Sequence, residues 1–132
     1  MGTNAPHAGD RHEAIAPALA TVAFDPAELD QSIHESRLDV EFDLDLAVQR
    51  RLAASAMVLC SVALIAESDA EFEVRVAELD LPDAAEGLAY MLGFAEHVKQ
   101  DLVQAFEPAG GVLPVRDVLS ARLARARALL VP

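Results

Sequence analysis

Residues 52–66 run without a single charge, and bulky side chains stand on both parities: Met57, Leu59 and Ile65 on one, Val58, Cys60, Val62 and Leu64 on the other. Such a segment needs apolar cover on more than one side, so it sits at the centre of whatever fold forms. It reads in two ways. The Ala-rich start, AVQRRLAASAM, suits a helix, whereas VLCSVALIA suits a strand buried on both faces.

The flanking runs favour strands. LDVEFDLDL at 38–46 places Leu38, Val40, Phe42, Leu44 and Leu46 on one parity and Asp39, Glu41, Asp43 and Asp45 on the other. That is the period of a half-buried strand, although aspartate is a poor strand former. EFEVRV at 71–76 alternates in the same way, with Phe72, Val74 and Val76 in register. Upstream, the apolar stretch 14–24 is broken by Pro17, which suits an edge strand over about 18–24 better than a helix. Asp25 as an N-cap and Pro26 at the first helical position then allow a short helix over 27–36, with a long loop as the other reading. The expected fold is therefore α+β, an antiparallel sheet of about four strands followed by two C-terminal helices. The alternative is an all-α helical bundle. In it 46–67 is one central buried helix, and Phe72, Val76 and Leu79 form a helical stripe behind a Ser68–Glu71 capping box. The two readings switch together: if 55–66 is helical, so is 71–76.

The last third is less ambiguous. Pro82 and Asp83 open a helix along which Leu88, Met91, Leu92, Ala95, Val98, Leu102 and Phe106 recur at helical spacing. A Pro/Gly loop follows, and a second amphipathic helix carries Val115, Leu119, Leu123, Ala126 and Leu130, with Arg116, Arg122, Arg125 and Arg127 decorating it. At 132 residues the chain is expected to form one domain over 14–132, after a loose, polar tail at 1–13.

Charge narrows the partners. A formal net charge of −12 repels nucleic-acid phosphate and anionic membrane and favours basic or non-native chains. The acids concentrate at 25–45 and 67–86, each holding eight carboxylates against one arginine. The single cysteine, Cys60, excludes an internal disulfide and fits a reducing, cytoplasmic setting, as does the lack of a signal-peptide pattern. The uncharged run is shorter than the roughly 20 residues a membrane-spanning helix requires, so no membrane insertion is expected. Catalytic signals are sparse. His97 and Asp101 at i and i+4 have metal-ligand spacing without a third member, His34 beside Glu35 joins them only through the fold, and Cys60 stands among apolar neighbours that raise a thiol's pKa. No cofactor, metal or enzymatic activity is expected. Apolar surface on two sides of 55–66 leads us to expect a homo-oligomer.

In order and spacing, these segments resemble the SecB family of export chaperones. VAFDP at 22–26 is similar to that family's first strand ending in an aromatic, an acid and a proline. The spacing of 38–46, 55–66 and 71–76 is similar to its later strands, and Pro114–Val115 to its approach to the final helix. The resemblance implies a small acidic oligomer that holds unfolded or partly folded polypeptide without chemistry, for export or beside a toxin–antitoxin pair. It implies client contact through Phe24, Phe42, Leu44, Phe72, Val74, Tyr90 and Phe94, and docking of a partner through Asp25, Asp39, Glu41 and Asp43. Two departures stand against it: AELDLP at 77–82 replaces a Gly-rich aromatic loop, and Arg75 falls where the family carries an acid. The other function consistent with the residues is an acidic, all-helical adaptor or partner-binding protein.

Overall fold

In a computed structural model of the chain, which describes residues 26–106 and 115–131, every regular element is a helix. In chain order these are α1 (Pro26–Glu35), α2 (Leu38–Glu41), α3 (Leu46–Ile65), α4 (Asp69–Glu78), α5 (Ala85–Phe106) and α6 (Val115–Leu130). The expected α+β sheet is therefore corrected to an all-helical fold among the described residues. The proposed edge strand at 18–24, with Phe24 and Asp25, lies outside them.

α3 is the hub. Its buried residues are Gln49, Leu52, Ala53, Ala56, Met57, Leu59, Cys60, Ala63 and Leu64, a band wider than one amphipathic stripe. The two parities of bulky residues that suggested a two-faced strand are thus two sides of a central helix, packed against α1, α4, α5 and α6. By length and composition α3 could also cross a membrane, but half of its most apolar stretch is buried inside the bundle. Its alanines keep the backbone regular and let neighbours approach closely.

α3 and α5 run parallel. Leu52 lies against Gly87, and the Cys60 thiol donates to the Ala95 carbonyl at 3.5 Å, the same sequence offset of 35 at both places. A parallel pair requires a crossover, which α4 provides. The second alternating run, 71–76, is the middle of that helix. Ser68 Oγ, at the N-cap, accepts from Glu71 N at 3.1 Å, while Glu71 reaches back to accept from Glu67 N at 2.5 Å, one residue before the N-cap amide, so a variant of the capping box holds the helix start. Phe72 and Val76, one turn apart, are buried, and Val74 between them is 59% exposed. Helical rather than strand periodicity decides which of the three sees the core.

The first alternating run, 38–46, contains no ladder. Arg37 at φ 61° reverses the chain after α1, Leu38–Glu41 make one helical turn, and Phe42 and Asp45 are extended before α3 begins. Consequently the apolar parity does not share a face: Leu38 is buried, Phe42 and Leu44 are half-buried, and Val40 is 83% exposed. Leu38 docks on Gly93 in the middle of α5, where a Cβ would approach Leu38 Cδ2 to 3.2 Å. A glycine there costs about 1 kcal/mol of helix propensity and permits that close approach.

The apolar stripe expected on the long helix is buried as read, from Leu88 through Leu102, and Val115, Leu119, Leu123 and Ala126 bury the inner face of α6. Within that face lies a cation. Arg122 is only 8% exposed and donates through Nη1 to the carbonyls of Ala63 and Ala66 at 2.7 and 2.6 Å. Its guanidinium also stands 5.9 Å from the Phe72 ring centroid and 3.4 Å from Asp69. One side chain thereby caps α3, anchors α6 and contacts α4.

Candidate functional site

A groove forms where the start of α3 meets the connection between α4 and α5. Val48, Arg51, Leu52 and Ser55, spaced by three or four residues, line one wall on successive turns of α3. Leu44 also lines it, and Asp80, Leu81, Pro82, Ala84, Glu86 and Gly87 come from the connection and the start of α5. The groove's volume is about 420 Å³. Pro82 keeps the connection from continuing as helix, and Gly87 lets it lie close: a Cβ there would sit 3.3 Å from Pro82 Cβ and 3.7 Å from Leu52. Gln49, itself buried, donates Nε2 to the Leu44 carbonyl at 2.6 Å, which fixes the extended residues that carry Leu44.

Chemically the groove has an apolar floor of Leu44, Val48, Leu52, Leu81 and Pro82, with charge confined to Arg51, Asp80 and Glu86. It supplies contact surface and a charged rim, not convergent groups for proton transfer. Two other hollows differ in kind. A shallow depression of about 680 Å³ is lined by His34, Glu35, Arg37, Val40 and Glu41, with one apolar member. A smaller one, about 160 Å³, collects Glu28, Gln31, Ser32, Glu35 and Asp101.

His97 and Asp101, the pair with metal-ligand spacing, lie 3.7 Å apart on α5. No group of three or more His, Cys, Asp or Glu residues among those described is arranged to hold a metal ion. His34 turns away, toward Asp39 at 3.2 Å. Burial raises the Asp101 pKa above the usual 3.8, outweighing the opposite effect of His97, and Glu35 adds to the rise. A carboxyl that holds its proton more tightly when folded stabilises the fold at low pH, and that contribution is lost as pH rises through its folded value. Asp101→Asn should therefore match the parent below its ordinary pKa and exceed it by about 0.5 kcal/mol near neutrality in urea titrations. A difference that stays constant across that range would assign the change to packing instead.

Cys60 is fully buried, and burial first, then Glu96, pushes its thiol above the ordinary range. It is a packed side chain, as its apolar neighbours suggested. The aromatic residues assigned to client contact are largely interior. Tyr90 and Phe94 are buried and stack with ring centroids 6.4 Å apart, Phe42 meets Tyr90 edge-on at 5.6 Å, and Phe72 is buried beneath Arg122. Of the seven positions, Leu44 lines the groove and Val74 is exposed on α4. Among the docking acids, Glu41 and Asp43 are exposed and Asp39 is half-buried beside His34. Sequence reasoning missed Val48, Leu81 and the packing role of Pro82. The available signal was AELDLP, an apolar pair inside an acidic connection too short to bury itself.

No protein-family model matches the chain, and searches of curated proteins and of solved structures return no match.

Proposed function

We propose that the chain is an acidic, all-helical partner-binding protein that works without catalysis. It takes an apolar segment of another polypeptide in the groove between α3 and the α4–α5 connection. The observation that carries this reading is the groove's apolar floor on an otherwise strongly charged molecule. Val48 and Ser55 mark about 10 Å along α3, roughly two turns of a helix laid beside it, which suits helix-in-groove recognition. The volume of about 420 Å³ accommodates a few large side chains. Client capture by a sheet edge has no counterpart among the described residues, which contain no strand.

The test is a binding titration with an amphipathic probe peptide of about 16 residues, leucine on one face and glutamine on the other, followed by fluorescence anisotropy. Saturable one-to-one binding is expected. Val48→Arg, on the groove wall, should weaken it by at least about tenfold, or 1.4 kcal/mol. Val74→Arg adds the same charge on exposed α4 surface and should leave it unchanged. Equal affinity in both variants contradicts the assignment.

A further inference from the structure

We propose that the segment seated in this groove is a basic amphipathic helix, an inference that rests on the partner-binding reading above. The groove is framed by carboxylates. Asp80 and Glu86 line it directly, Asp43 and Asp45 bracket Leu44 in sequence, and Asp83 follows Pro82. All five residues are exposed, and among the described residues none of these carboxylates forms an ion pair. Several acids elsewhere are neutralised: Asp30 is bound bidentately by Arg50 at 2.8 and 2.7 Å, Glu71 pairs with Arg75, and Asp69 and Glu73 pair with Arg125.

Arg50, one residue from the groove-lining Arg51, is thus committed to Asp30 on α1, and Arg51 is the one cation among the lining residues. Like charges held around an apolar floor repel one another, and a cationic ligand removes that repulsion while its apolar face is buried. A helix with leucine-like residues at i, i+3 or i+4 and i+7, flanked by lysine or arginine, meets both demands. A second copy of this chain brings the same net charge of −12 to the contact.

Three probe peptides sharing one leucine face, with lysine, glutamine or glutamate on the other, separate this inference from the reading beneath it. The lysine peptide should bind at least about tenfold tighter than the glutamine peptide, with the glutamate peptide weakest, and the spread should shrink as salt rises to about 0.5 M. Asp80→Asn combined with Glu86→Gln should reduce the ratio of lysine-peptide to glutamine-peptide affinity by at least about threefold, and an unchanged ratio overturns the charge inference. Equal binding of the lysine and glutamine peptides overturns the charge inference while the groove stands. Binding by none overturns the groove itself. A dimer that dissociates in Val48→Arg assigns the groove to a second copy and likewise overturns the proposal.

Discussion

Arg122→Met is expected to destabilise the fold by about 3 kcal/mol, a large share of what a domain of this size possesses. Methionine keeps much of the aliphatic stem, so the loss falls on the head group. That head group supplies bonds of 2.7 and 2.6 Å to the carbonyls of Ala63 and Ala66, residues whose exposure is zero. It also supplies the Asp69 contact at 3.4 Å and the approach to Phe72. Arg125 is the control. Its bonds to Glu73 and Asp69 are on the surface, so Arg125→Ala should cost less than about 1 kcal/mol. In urea, with a slope near 1.5 kcal/mol per molar, Arg122→Met should lower the midpoint by about 2 M. An Arg122→Met midpoint no lower than that of Arg125→Ala would show that the three-helix corner is not held by this side chain.

Tyr90 should give two opposite results. Tyr90→Ala removes a fully buried ring from between Phe42 and Phe94 and should cost about 4 kcal/mol. Tyr90→Phe keeps the ring and deletes a hydroxyl that is buried without a hydrogen-bond partner, so it should stabilise by about 1 kcal/mol. Burial, and then the charge of Asp39, already pushes the phenol's pKa up to about 12. Thermal unfolding checks both, since about 1 kcal/mol moves the midpoint by several degrees in a chain of this length. If Tyr90→Phe melts lower than the parent, the hydroxyl is satisfied in solution and the packing of α2 over α5 differs from that described.

How far the fold was legible depended on which residues broke ties. The last two helices were plain, because Leu88 through Leu102 and Val115 through Ala126 repeat at helical spacing over many turns and nothing competes. The strand reading of 38–46 failed for a local reason. Arg37 takes a left-handed turn, a short helix uses up Leu38–Glu41, Leu46 already opens α3, and only 42–45 lie between the two helices. Alternation alone carries no information about a pairing partner, and the three aspartates and one glutamate of that run count against a ladder. For 55–66, two-sided apolarity is common to a buried strand and a hub helix; the alanines at 53, 54, 56 and 63 favoured the helix. Ser68 and Glu71 were the short-range signal for α4 that the alternation of 71–76 masked, and Ser68 does accept from Glu71 N.

The site was less legible than the fold. Aromatic residues attract functional assignment, yet Phe72, Tyr90 and Phe94 are spent on the interior. The groove is instead made by medium-sized aliphatics whose exposure is set by tertiary packing: Val48 and Leu81 remain half-buried because Pro82 and Gly87 hold the α4–α5 connection against α3 without filling the space above it. That spacing between elements is invisible to any pattern within one of them. The acidic excess was legible, and its role as a rim follows only once the apolar floor is known.

The most direct test of the groove as docking surface is methyl and amide chemical-shift mapping with the lysine-faced probe peptide. Saturable shifts confined to the Leu44, Val48, Leu52 and Leu81 methyls and the Gly87 amide are predicted, with Val74 and Leu129 unmoved. Shifts centred on Val74 or Leu129, or none at saturating peptide, would contradict it.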